Sequence, residues 1–167
     1  MFAGEVRTIR DHLALKGRRL WIWGDRLIDG KTTGIGEWEG SYNNTHRAVD
    51  MIPKDVMICD WHYERPDQTP VYFAMKGFSV VTCPWRNPAN AVLQVRDMVK
   101  FRDYSTPEMK ERFMGMVQTV WSGTGQFLDS FYGKTIDKET NTDAGCFKAM
   151  YSEIENQIKK TTSSSPR

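Results

Sequence analysis

The sequence predicts an α/β fold: four consecutive strand–helix units followed by an extra C-terminal helix. Three observations predict it. Segments with helical periodicity alternate with short apolar runs, the order expected of parallel βα units. Those runs are nearly continuously apolar, as strands are when both faces are covered. Each run also closes on a tryptophan: Trp23, Trp61, Trp85 and Trp121 lie 38, 24 and 36 residues apart, each about one βα unit.

In chain order, residues 2–16 read as a helix through Val6, Ile9 and Leu13, with Leu15 close to the same face, and Gly17 stops it. Residues 18–25 are the first strand. Residues 27–44, rich in Gly, Thr and Asn, form a long loop, and a loop of that length is often functional. A short helix over 44–52 ends at Pro53, and 55–63 is the second strand. A helix over 71–77 closes on Gly77, and 78–85 is the third strand. Residues 89–104 are an amphipathic helix introduced by Asn87 and Pro88, with Ala91, Val92, Val95, Met98, Val99 and Phe101 on its apolar face. Residues 112–121 are the fourth strand, and a helix over 123–133 is capped by Gly133. The first domain is expected to cover 1–133. Residues 134–167 are expected to be a polar loop, a helix over 146–160 with Phe147, Met150, Ile154 and Ile158 in helical spacing, and a disordered tail.

Composition narrows the function. With 23 basic and 21 acidic residues and a net charge of +2, no basic patch points to nucleic acid. No apolar run is long enough to span a bilayer, so no membrane partner is expected. The first residues lack the apolar stretch of a signal peptide. As it stands the chain reads as cytoplasmic, and as periplasmic or secreted if an N-terminal half is missing. Cys59, Cys83 and Cys146 are odd in number and widely spaced, which argues against a disulfide framework and a thiolate zinc site and leaves them as small buried apolar residues. No metal and no cofactor are expected.

The tryptophans carry the functional reading. In a parallel barrel every strand's C-terminal end lies on one face, where active sites sit. Indole faces there suit the C–H face of a pyranose, and a polar rim of Asp25, Arg26, Asp60, His62, Tyr63, Glu64, Arg86 and Gln118 suits its hydroxyls. The substrate-binding candidates are Trp23, Asp25, Trp61, His62, Tyr63, Trp85 and Trp121. Asp60, His62 and Glu64 alternate as metal ligands on one strand face would, but one histidine with two carboxylates does not define a metal site. Asp25 and Glu64 form a possible acid and base pair, against which stands a simple ion pair of Asp25 with Arg26 or Arg86. His12 and His46 read as surface residues, and Gly34-Ile35-Gly36 is too short for a phosphate loop.

The stretches WIWGDRLID (21–29), DVMICDWHYE (55–64), GFSVVTCPW (77–85) and MVQTVWSG (116–123) resemble glycoside hydrolase family 20, the β-N-acetylhexosaminidases. The resemblance covers about residues 2–133 and implies strands five to eight of a (β/α)8 barrel, half of that fold. It implies an N-acetylhexosamine-type carbohydrate ligand, with Trp23, Trp85 and Trp121 as pocket tryptophans and Tyr63 as the tyrosine that bonds the acetamido oxygen. The family's reaction is substrate-assisted, with an Asp-Glu pair at the end of the fourth strand. This chain contains no Asp-Glu dipeptide, so no catalytic residue is assigned. The residues after Tyr63 depart from the family's spacing. Ser122 and Gly123 follow Trp121 where the family has Trp-x-Glu. The expectation is a hexosaminidase-like domain, a glycosidase only if an N-terminal half completes it. Self-pairing into a homodimer is a second way to close the barrel. The alternative is a non-catalytic sugar-binding or assembly module.

Overall fold

Apolar spacing, capping residues and Gly/Pro breaks produce the alternation the sequence predicts. A computed structural model describes residues 1–135 and 141–163. Helix α1 (Phe2–Ala14) ends where Gly17, at φ 64°, lets Arg18 N–H reach back to the Leu13 carbonyl. Of its expected apolar face Val6 is buried and Leu13 half-buried, whereas Ile9 and Leu15 are exposed. Strands β1 (Trp21–Trp23), β2 (Met57–Asp60), β3 (Ser79–Thr82) and β4 (Phe113–Met116) form one sheet in the order β1-β2-β3-β4. The β1–β2 ladder is parallel, with Trp21 opposite Met57 and Trp23 opposite Cys59. The β3–β4 bonds rise together along both strands, from Val80 N–H to the Arg112 carbonyl through Val117 N–H to Thr82 and Thr119 N–H to Pro84.

Those bonds reveal a bulge. Val80 opposes the residue after Arg112, so an unbroken parallel ladder would give the Thr82 carbonyl to residue 116. It is given to Val117 instead. The surplus residue falls at Gly115, whose φ of 117° is open to glycine alone.

The chain forms two compact units, one of Met1–Trp61, Gln68–Val81 and Ser105–Met114, the other of His62–Asp67, Thr82–Tyr104 and the residues from Gly115 onward. In the first, Leu27, Val56, Ile58, Phe73, Phe78, Val80 and Phe113 are at most 1% exposed and form the core. Helix α3 (Thr69–Met75) contributes Phe73 and Ala74 to it. Arg10 of α1 chelates the Asp55 carboxylate just before β2, holding that carboxyl below its ordinary range through the hydrogen bonds it donates.

In the second unit, α4 (Pro88–Tyr104) packs on α7 (Asp143–Ser163) through Ala91, Val95, Cys146 and Met150, with Met116, Phe147 and Ile154 at the margin. Phe147 also meets Phe127 and Phe131 of α6 (Thr124–Phe131) edge-on, at 6.1 and 5.8 Å between ring centroids. Burial pushes the Cys146 thiol up to about 12, so it behaves as an apolar residue, as expected, and Cys83 is buried too. Cys59 is half-buried, and no disulfide joins the three.

Several expectations are corrected. The strands are shorter than 18–25, 55–63, 78–85 and 112–121, at three or four residues each. Only Trp23 lies inside its strand. Trp61, Trp85 and Trp121 follow theirs; before Trp85, Pro84 has no N–H to donate. A 3-10 turn (Asp25–Leu27) joins the end of the first expected strand to the long loop, and the loop contains α2 (Gly30–Thr33), which Asp29 caps by accepting from Lys31 N–H. The expected helix over 44–52 is a 3-10 turn, Thr45–Asp50, entered from Asn44 at φ 66°. Pro70 starts α3 two residues early, and Thr106 caps an unforeseen α5 (Pro107–Lys110). Helix α7 claims residues 143–145 from the expected polar loop and 161–163 from the expected tail, and its Ile158 is exposed. The rest of those two expectations, at 136–140 and 164–167, lies outside the described residues.

Candidate functional site

Three of the seven candidate residues meet within the second unit. Tyr63 leads out of the His62–Asp67 segment, Trp85 follows β3 and Trp121 follows β4. The Tyr63 ring leans on the Trp85 indole at 5.1 Å between centroids and 58° between planes. The Trp121 indole N–H donates to the Tyr63 hydroxyl at 3.1 Å. Trp121 itself is 64% exposed, so an aromatic face stays open to solvent beside a fixed phenol. Arg86, in the left-handed region at φ 52°, sets its guanidinium 5.4 Å from the Trp85 ring and donates to the Asn141 carbonyl.

His62 differs in character. Its side chain is 3% exposed, with Nδ1 3.5 Å from Asp67 Oδ2, while Arg65 Nε lies 3.3 Å from the same oxygen. Burial leaves the imidazole almost no surface for a ligand to meet. Glu64 is exposed.

Both loops of this group are anchored. Asn87 caps α4, accepting from Asn90 N–H through Oδ1 at 3.0 Å, with Pro88 following it. One turn in, Asn90 Nδ2 donates to the His62 and Tyr63 carbonyls, 3.0 Å each, and Gln94 Nε2 donates to the His62 carbonyl at 2.7 Å. On the other side, Gln118 donates to the Asp143 carbonyl at 2.6 Å, and Ser122 N–H donates to the Asp143 carboxylate at 3.1 Å. Trp121 is thus carried on a segment tied down on both flanks by the first residue of α7.

No protein-family model matches the chain, and no curated protein matches it. The site is therefore read from its own chemistry.

In the first unit, Asp25 and Trp61 meet: the Trp61 indole nitrogen is 3.3 Å from Asp25 Oδ1. Arg26 Nε is 2.6 Å from the other carboxylate oxygen, the ion pair expected as the alternative to an acid–base role. Arg26 also donates to the Gly40 and Trp38 carbonyls, so one guanidinium links Asp25 to the long loop. Trp23 is 46% exposed at the end of β1. Gly24 beside it has no room for a side chain, since a Cβ would sit 2.8 Å from both Ile58 Cγ2 and Phe73 Cζ. Asp60 is buried, accepting from the Thr69 hydroxyl at 2.7 Å, which uses it in the core. His12 is exposed and His46 partly so, 3.8 Å from Asp29.

Sequence reasoning missed Asn90, Gln94 and Asp143. The first two carry a signal: amides at i and i+4 on the face that also holds Ala91, Val95 and Met98. Buried polar residues on an apolar stripe need partners. Asp143, beyond the last strand–helix unit, carries none.

Proposed function

We propose that Tyr63, Trp85 and Trp121 form the aromatic wall of a carbohydrate site for an N-acetylhexosamine-type sugar. We read the chain as strands five to eight of a glycoside hydrolase family 20-like barrel. The observation that carries this is the hydrogen bond from the Trp121 indole to a tyrosine hydroxyl whose ring rests on Trp85. Such a group offers an open apolar face for sugar C–H groups and an oriented hydroxyl for a polar substituent. In this reading the Tyr63 hydroxyl meets the acetamido oxygen, its bond with Trp121 using the phenol oxygen as acceptor. Trp23 is assigned to the same function through the sequence resemblance, and Asp25 and Trp61 through their places at the ends of the expected strands.

These residues bind and orient sugar and supply no acid. With no Asp-Glu dipeptide in the chain, the second reading is a non-catalytic sugar-binding or assembly module. Titration of N-acetylglucosamine against intrinsic tryptophan fluorescence tests binding. A saturable change is expected, lost in Trp121→Ala and kept in Trp38→Ala. An unresponsive wild-type chain overturns the proposal. Turnover of a chromogenic N-acetylglucosaminide separates the two readings: hydrolysis lost in Trp121→Ala identifies an enzyme, and saturable binding without hydrolysis identifies the module.

A further inference from the structure

We infer that Asn90 and Gln94 are positioning residues for Tyr63, an inference that rests on the proposed sugar site for its functional meaning. Both lie on α4, one turn apart, 3% and 4% exposed. Between them they donate three hydrogen bonds, all to the carbonyls of His62 and Tyr63. Carbonyls only accept, so each amide must present its NH2 group to the loop, and the reversed orientation would set oxygen against oxygen.

The other halves of the two amides show what this arrangement costs. Asn90 Oδ1 and Gln94 Oε1 are buried and have no hydrogen-bond partner among the described residues. A buried, unpaired amide oxygen is destabilising, and a leucine at either position would avoid it. Two such oxygens on one helical face are hard to explain by packing. They are explained if the helix is required to hold the His62–Tyr63 peptide still. That peptide sets where the Tyr63 ring leaves the backbone, and from there the chain of contacts runs to Trp85 at 5.1 Å and Trp121 at 3.1 Å. Asn87, which caps this helix, lies two residues after Trp85, so the same helical end orders both sides of the wall.

The test uses the full chain labelled with 15N at its indoles, the Trp121 signal being assigned with Trp121→Phe. Asn90→Leu removes the amide that makes two of the three hydrogen bonds while keeping the branched shape. It is expected to move the Trp121 indole N–H resonance toward its position in Tyr63→Phe and to weaken N-acetylglucosamine binding about tenfold. Gln94→Met, which keeps the volume and removes one donor, is expected to do the same to a smaller degree, and it carries the test if Asn90→Leu does not fold. Val95→Ala on the same helix is the control: it lowers the melting temperature and leaves both the resonance and the affinity in place. A folded Asn90→Leu or Gln94→Met with wild-type resonance and affinity overturns the inference, as does a Val95→Ala that shifts the resonance equally. The indole signal needs no sugar. A wild-type chain that binds none defeats the proposed function alone, and the resonance still decides whether α4 positions Tyr63.

Discussion

Gly24→Ala isolates a steric requirement next to two candidate residues, Trp23 and Asp25. Gly24 has φ −80° and ψ −21°, a conformation open to alanine, so the substitution introduces no backbone strain. What it introduces is a carbon 2.8 Å from Ile58 Cγ2, 2.8 Å from Phe73 Cζ and 2.9 Å from Phe73 Cε2. Carbon pairs are at ease at about 3.5–4.0 Å, so each contact must open by about 0.6 Å or more. Ile58 and Phe73 are both fully buried and cannot swing into solvent. Overpacking of this kind costs about 1–3 kcal/mol. Taking about 2 kcal/mol, the melting temperature falls by about 4–8 °C for a chain of this length. Thermal and urea unfolding followed by circular dichroism measure it. Two of the three close atoms belong to Phe73, so Phe73→Leu should relieve most of the clash. In that background Gly24→Ala should cost at least about 1 kcal/mol less than in the wild type. If the two substitutions add to within about 0.5 kcal/mol, the clash is not what makes Gly24 necessary, and the reasoning fails.

Three further outcomes follow from the same geometry. Tyr63→Phe removes the acceptor of the Trp121 indole on an exposed surface; sugar affinity should drop severalfold while the melting temperature moves by less than about 3 °C, and a calorimetric titration beside a thermal melt reads both. Thr69→Val takes the hydroxyl from a buried carboxylate, and urea unfolding should show a loss of about 2 kcal/mol; a neutral result would mean that Asp60 does not depend on that bond. Glu153 lies below its ordinary value of 4.5, chiefly through the hydrogen bond from Arg96 and aided by Gln157. Its unfolded form therefore takes up a proton first, so its contribution to stability is complete above about pH 4.5 and is lost as the pH falls through the folded value. Glu153→Gln should lower the melting temperature at pH 7 and flatten the decline below about pH 4.5, which melts across that range would reveal.

The broad order of helices and strands was legible because it rests on local signals: apolar spacing in α4 and α7, Gly17 after α1, Pro53 and Pro88 at breaks. The strand ends were not. An apolar run such as FSVVTCPW continues to look like strand through Cys83 and Pro84, and nothing local marks where pairing with a distant segment stops. Asp25–Leu27 and Thr45–Asp50 turn on tertiary bonds, among them Thr45 Oγ1 donating to the Arg26 carbonyl at 2.9 Å. In the site, Trp85 and Trp121 were recognisable as large aromatics recurring at each strand–helix unit, and Tyr63 through the resemblance. The buried amides behind them looked like breaks in an apolar pattern, since their partners are backbone carbonyls on a segment 27–32 residues away. The ion pair of Asp25 and Arg26 was foreseen because the two are chain neighbours.

The surplus residue at Gly115 reverses odd and even along everything that follows it. Successive side chains in extended backbone point to opposite sides, so one added residue exchanges the two sides for Val117 and Thr119, whose N–H groups still reach Thr82 and Pro84. Thr119 is 8% exposed under that phase. A chain shortened by this single glycine would keep every aromatic of the wall in its composition and present the segment that leads to the last of them the other way up.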